Sequence, residues 1–249
     1  MTFTIQRLET CGSTNEEAKS RARDGAPEGT VIVADEQTSG KGTKGRTWFS
    51  PARAGLYVSV ILRPGMDVSL SLLPLAAGLA AREAVERSSG VPAKLRWPND
   101  IVWEGKKLGG ILCEGGLSGF QQRYSVVGLG LNLAMPASGF PADFKDKAVS
   151  LFEAAGGCVD LETLLGAFLE ELDLAVAPLF EKRTLDIIDS FLGHSEEALG
   201  DPLAIQSAAG PFRGTFAGLD PDGAIRLATP EGERRFVSAE ILSFGPAPK

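Results

Sequence analysis

Residues 56–62 read Leu-Tyr-Val-Ser-Val-Ile-Leu, a nearly continuous apolar run broken only by Ser59. Such a run, rich in β-branched and aromatic residues, reads as a buried strand, and a buried strand needs a sheet around it and cover over it. Residues 3–8 and 30–34 are also β-rich, and 107–114 and 125–131 read as further strands. Helical signals lie between them. Ser13/Glu16 and Thr14/Glu17 both have capping-box spacing, and residues 72–85 are rich in Ala and Leu. Leu161, Leu164, Leu165, Phe168, Leu169 and Leu172 share one helical face behind Asp160, a suitable N-cap. The expected class is α/β (α+β), a mixed β-sheet covered by helices.

The last fifty residues differ in character. After Gly200-Asp201-Pro202, short β segments at 203–206, 212–216, 224–227 and 235–237 alternate with turns. Asp220-Pro221-Asp222-Gly223 and Pro230-Glu231-Gly232-Glu233 are hairpin material. This predicts a small separate β-barrel, with the boundary between His194 and Gly200: a catalytic domain over 1–197 and a β-domain over 198–249. A chain of 249 residues accommodates both without disulfides or a structural metal.

Charge narrows the partners. With 25 Lys+Arg against 32 Asp+Glu, the net charge is −7, which disfavours bulk attraction to nucleic acid or anionic membrane. No apolar run reaches the ~18 residues of a membrane span, and the first residues lack the pattern of a signal peptide. A cytoplasmic location is expected. Cys11, Cys113 and Cys158 fit reduced thiols, and the single histidine, His194, leaves little for a zinc site or a histidine triad.

The most unusual segment is Ser39-Gly40-Lys41-Gly42-Thr43-Lys44-Gly45-Arg46-Thr47-Trp48. Glycines let backbone N–H groups curl around an anion and cations neutralise it, so the segment reads as a phosphate-binding loop or, more plainly, as a basic surface loop. It is not a Walker loop: Arg46 stands where that lysine must be, and a strand rather than a helix follows. Arg96-Trp97-Pro98-Asn99-Asp100 forms a rigid turn, followed by Lys107-Leu108-Gly109-Gly110, where paired glycines weaken a strand unless something approaches the backbone or a bulge is needed. Gly128-Leu129-Gly130-Leu131-Asn132 ends a strand on an amide that reads a base edge or caps the strand.

Taken together and in this order, Ser13-Thr14-Asn15, Gln37, Gly40 to Trp48, Arg96 to Asp100, Lys107 to Ile111 and Gly128 to Asn132 resemble the biotin protein ligases. The family pattern is S-T-N, G-R-G-R-x-G-R-x-W, K-W-P-N-D, K-x-x-G-I and G-x-G-x-N. The resemblance runs from about Leu8 to Leu151, and the C-terminal β-domain is similar to the SH3-like cap of these enzymes. It implies biotin and ATP as substrates, Mg²⁺ as cofactor, a biotinyl-5′-AMP intermediate, and a lysine of a biotin carboxyl carrier domain as acceptor. Such chemistry needs positioning and charge stabilisation rather than a side-chain nucleophile. Monomer and homodimer both remain open.

Carried over, Ser13, Thr14, Asn15 and Gln37 look like biotin ligands, joined by Gly40, Lys41, Gly42 and Thr43. A tryptophan with Gly109 and Gly110 would wall the thiophane. Lys107 would bridge the biotin carboxylate and the α-phosphate. Lys41, Lys44, Gly45, Arg46 and Trp48 would line ATP, Asn132 would face adenine, and Asp100 would orient the incoming lysine. Lys107, Arg46 and Asp100 are the implied catalytic residues, and no side chain is assigned to a metal. Two departures from the pattern stand out: Arg96 keeps the charge of the usual lysine, whereas Lys41 and Thr43 replace two arginines and Thr43 discards a cation. Lipoate or octanoate ligases of the same fold and biotin-responsive regulators are the competing readings. Only twelve residues precede Ser13, too few for a helix-turn-helix.

Overall fold

The computed structural model of the protein describes residues 1–119 and 121–244. Its main sheet contains β1 (Thr4–Cys11), β2 (Thr30–Gln37), β3 (Gly55–Leu62), β4 (Lys94–Arg96), β5 (Asp100–Trp103), β6 (Lys106–Leu117) and β7 (Arg123–Asn132). Their spatial order is β1-β2-β3-β7-β6-β5-β4. β1 and β2 are parallel and the other neighbours antiparallel, so the sheet is mixed as expected. The helices are α1 (Thr14–Arg23), α2 (Leu73–Ser89), α3 (Leu151–Ala155), α4 (Leu161–Phe180) and α5 (Thr184–His194). Asp160 caps α4, accepting from the Thr163 N–H at 2.8 Å.

Strand alternation decides what each face does. Leu56, Val58, Val60 and Leu62 of β3, with Val127, Leu129 and Leu131 of β7, enter the large core beneath α2 and α4. Ile61 and Val126 face the other way, onto Ala18 and Ala22 of α1. That second face therefore carries Ser59, Gly128, Gly130 and Asn132, the positions of a candidate site.

The spacing Ser13/Glu16 makes Ser13 the N-cap of α1 in extended conformation, yet its side chain makes no capping bond. The carboxylates that would complete the boxes are engaged elsewhere: Glu16 with Lys19 and Lys41, Glu17 with Arg21. The first N–H of α1, on Thr14, donates to Gln37 Oε1 at 2.8 Å instead. Strands β4 and β5, of three and four residues, are too short for periodicity to reveal. Helix α5 lies outside the segments with a helical signal and buries Ile187, Ile188 and Phe191.

The C-terminal strands are β8 (Pro202–Ser207), β9 (Gly210–Leu219), β10 (Ile225–Thr229), β11 (Gly232–Phe236) and β12 (Ala239–Phe244), in order β11-β10-β9-β8-β12 and all antiparallel. This second, antiparallel sheet matches expectation, and its apolar side is shared with the main core. Leu203, Ile205, Phe216, Ile225 and Leu227 join the same core as α2 and α4. The turn before β10 is seated against the start of α2, where a β-carbon on Gly223 would meet Leu72 Cδ2 at 2.7 Å and Leu75 Cδ1 at 3.3 Å. The indole N–H of Trp97, between β4 and β5, donates to the Gly223 carbonyl at 2.8 Å. Among the described residues no helix is long and apolar enough to cross a membrane.

Candidate active site

Four pieces of chain converge on the face opposite the large core. The start of α1 brings Ser13, Thr14 and Asn15, all buried. The end of β2 brings Gln37, whose Nε2 donates to Ser50 Oγ at 2.8 Å, while Ser50 donates to the Trp48 carbonyl at 3.1 Å. The glycine-rich loop thus hangs from the residue that satisfies the first N–H of α1. A cleft of about 390 Å³ lies beside Gln37, Gly40 and Trp48.

Both glycines of the β7 motif are covered by side chains from elsewhere. A β-carbon at Gly128 would stand 2.1 Å from Asn15 Oδ1, and one at Gly130 would stand 2.5 Å from Trp48 Nε1. Gly40 is equally constrained, 2.5 Å from the Trp48 carbonyl and 2.7 Å from Ser50 Oγ. The buried Trp48 N–H has no acceptor among the described residues. Trp48, rather than Trp97, is the indole at this site, since Trp97 is held against the C-terminal sheet.

Lys107 reaches the same region from the start of β6. Its Nζ lies 2.6 Å from Asp100 Oδ1, 5.4 Å from the Trp48 ring centroid, and 3.3 Å from where a β-carbon on Gly110 would be. Gly110 thus leaves room for the ammonium. Gly109 serves packing instead: a β-carbon there would meet Leu131 Cδ1 at 2.7 Å and the Gly130 carbonyl at 2.9 Å. Lys107 is backed by the segment before α3, because its N–H donates to the Lys147 carbonyl at 2.7 Å and its carbonyl accepts from the Val149 N–H at 3.0 Å. Asn99 closes the neighbouring turn, donating to the Ile111 carbonyl at 2.8 Å.

The loop itself is a small hairpin. Gly42 N–H donates to the Arg46 carbonyl at 2.7 Å and Trp48 N–H to the Gly40 carbonyl at 2.9 Å. Lys44 and Gly45 have φ of 58° and 73°, the left-handed turn that glycine relieves at the second position. Its cations are not gathered in one place. Lys41 pairs with Glu16 at 2.6 Å and Arg46 with Glu240 of β12 at 2.7 Å. The ammonium groups of Lys19 and Lys41 hold the Glu16 carboxyl down at about 2. Lys44 is exposed and makes no ion pair among the described residues. Thr43 Oγ1 accepts from Arg46 Nη2 at 3.1 Å, so the residue that replaces a family arginine steadies the remaining one.

Asn132 is held from within the protein. Its amide nitrogen donates to the Lys107 and Val149 carbonyls, at 3.3 and 3.2 Å. It ties β7 to the segment behind Lys107, and any contact with adenine falls to its oxygen or the backbone. Sequence reasoning missed Ser59, Glu114 and Lys19, which contact Asn15 directly or through one another. The lone serine in an apolar run was the available signal for the first. Burial raises the pKa of both Cys11 and Cys113, which makes neither a ready thiolate. Among the described residues no group of three or more His, Cys, Asp or Glu side chains could hold a metal.

Residues 9–132 match the Biotin/lipoate A/B protein ligase family, and residues 199–242 match the Biotin protein ligase C terminal domain. The chain is 34% identical to the bifunctional ligase/repressor BirA of Bacillus subtilis, over 92% of this chain and 70% of that protein. It is 32% identical to the biotin–[acetyl-CoA-carboxylase] ligase of Paracoccus denitrificans, over 94% and 98% respectively. In structure it is similar to biotin protein ligase from Aquifex aeolicus in complex with biotin and ATP. There the TM-score is 0.82 and the identity 30%, covering 98% of this chain and 99% of the other.

Proposed function

This chain belongs to the biotin protein ligase family, and from that premise we propose how its own residues carry the reaction. It is an ATP-dependent ligase. The biotin carboxylate attacks the α-phosphorus of ATP, forming biotinyl-5′-AMP and expelling pyrophosphate. The ε-amine of a lysine on a biotin carboxyl carrier domain then attacks the acyl carbon, expelling AMP.

The observation that carries the assignment of roles is the Lys107–Asp100 pair at 2.6 Å, beside Trp48 and the loop. Lys107 is the mobile cation in this reading. It leaves Asp100 for the biotin carboxylate and α-phosphate, two anions that otherwise repel. Asp100, freed of its partner, accepts the proton that the acceptor amine gives up. Ser13, Thr14, Asn15 and Gln37 receive the ureido ring, with Gly40, Gly42 and Thr43 over it and Gly110 admitting the ligand beside the sheet. Lys41, Lys44 and Arg46 meet the phosphates, and the unpartnered indole of Trp48 borders the nucleotide.

Mg²⁺ enters here as the ion that accompanies the nucleotide phosphates. Among the described residues the side chains do not form a protein cage for it. The division at 197/198, a cytoplasmic location, action on a carrier domain and the absence of nucleic-acid binding belong to the same proposal, as does a monomer or homodimer.

The test is reconstitution. Purified protein, ATP, Mg²⁺, biotin and a carrier domain should increase the carrier mass by one biotinyl group, while lipoate and octanoate should give no product. A carrier modified by lipoate or octanoate but not biotin would overturn the reading.

A further inference from the structure

Ser59 breaks the apolar run of β3, and its side chain is fully buried. Its Oγ lies 2.6 Å from Asn15 Oδ1 and 2.8 Å from Thr14 Oγ1. A hydroxyl has one hydrogen to give, and the far side of Asn15 dictates where it goes. There the amide nitrogen donates to the Leu112 carbonyl at 3.2 Å and to Glu114 Oε2 at 3.0 Å. Glu114 is itself paired with Lys19 at 2.6 Å. An ionised carboxylate only accepts, so it holds the Asn15 nitrogen toward β6 and the oxygen toward β3.

Asn15 Oδ1 cannot donate, so the Ser59 hydrogen is directed to it. The Thr14 hydroxyl then has two internal acceptors, Ser59 Oγ and Gln37 Oε1, the latter at 3.1 Å. Whichever it takes, its hydrogen stays inside the network, and Thr14 turns only lone pairs outward. Both hydrogens of the Asn15 amide are engaged as well. Gly128 keeps the arrangement in place, since any side chain there would collide with Asn15 Oδ1.

We propose that Ser59 is a positioning residue for substrate selection. It orients Asn15 and, together with Gln37 Oε1, keeps the Thr14 hydrogen inside the network, so this end of the site requires an N–H from the ligand. A cyclic urea supplies one. A cyclic carbamate, with ring oxygen in place of that N–H, would set lone pair against lone pair. The inference rests on the reading above that Thr14 faces biotin.

The experiment is titration of the whole protein with biotin and with the carbamate analogue of biotin, alongside the KM for ATP. Ser59→Ala leaves a buried acceptor without its donor, and the expected result is biotin affinity about ten-fold weaker. Discrimination against the carbamate should narrow, because Asn15 is released and the Thr14 hydrogen keeps only Gln37 Oε1 in place of two internal acceptors, and the KM for ATP should stay within two-fold. Glu114→Gln, at a half-buried position, supplies an amide that can donate to Asn15 and let it turn over. It should act in the same direction, and it decides the matter alone if Ser59→Ala does not fold. Wild-type affinity and selectivity in both variants, or an equal loss for biotin and carbamate, overturns the role of Ser59. Thr14→Ala separates the two levels. If it too binds biotin as the wild type does, the site reading itself fails.

Discussion

Arg46 and Glu240 are 194 residues apart in sequence and form an ion pair across the two sheets, Nη1 to Oε1, at 2.7 Å. The pair places a loop cation assigned to phosphate under the hold of a carboxylate on β12. Both side chains are about half exposed, and pairs of that kind are typically worth below about 1 kcal/mol. Glu240→Gln should therefore lower the KM for ATP by roughly two- to five-fold, because the phosphates no longer compete with Glu240. Initial rates of pyrophosphate release against ATP measure this. A raised KM would mean that Glu240 readies Arg46 instead of withholding it.

Lys107→Ala should abolish adenylate formation in a folded protein. The ammonium is the cation placed beside Asp100 and Trp48, and removing such a contact commonly costs about 3 kcal/mol of transition-state stabilisation, on the order of a hundred-fold in rate. Biotin-dependent pyrophosphate release is the measurement, with a melting curve as the control for folding. Release at the wild-type rate would remove Lys107 from the mechanism.

Gly130→Ala should act through Trp48. A β-carbon at 130 would meet the indole at 2.5 and 2.6 Å, and a rigid ring on a packed strand cannot yield as a flexible chain does. Overpacking of this kind costs about 1–3 kcal/mol. The expected outcome is a KM for ATP raised about ten-fold, with biotin affinity changed by less than three-fold. Unaltered ATP kinetics would place the nucleotide away from Trp48.

Glu197 supplies a pH dependence of stability. Its side chain is buried in the segment that joins α5 to β8, its Oε1 has no hydrogen-bond partner among the described residues, and burial pushes its pKa up to about 7 from 4.5. The unfolded state therefore releases this proton at lower pH than the folded state, and stability falls as pH rises from about 4.5 to about 7. The span corresponds to on the order of 3 kcal/mol. Glu197→Gln should match the wild type near pH 4, gain on it across that window and hold its advantage above. Chemical denaturation of both proteins at several pH values tests it, and parallel pH profiles would contradict the assignment.

What could be read from the chain alone was local. The apolar run at 56–62 predicts its strand because alternation and composition act on neighbours a few residues apart. Asp160 reads as a cap because its acceptor need only reach the Thr163 N–H. Gly40, Lys107, Gly109 and Gly110 stand out because a glycine or cation suits a local need for close approach or charge, whereas Ser13 to Asn15, Gln37 and Trp48 are legible only through the family resemblance.

Tertiary structure decided the pairings. Nothing near Ser59 in sequence indicates that α1 will deliver Asn15 onto it, 44 residues away. Nothing near Arg46 reveals Glu240. Gly128 and Gly130 could be read as places of close approach, but which groups approach, an amide and an indole, depends on how α1 and the loop dock. The sequence leaves Asn132 either to face a base or to cap its strand, and only the fold shows its amide nitrogen donating to the Lys107 and Val149 carbonyls. Hydrogen bonds and charge pairs are satisfied by whatever the packing brings within about 3 Å, and packing is a property of the whole chain. The sequence alone therefore determined the local elements and the order of the motifs, while the fold decided which residues hold one another.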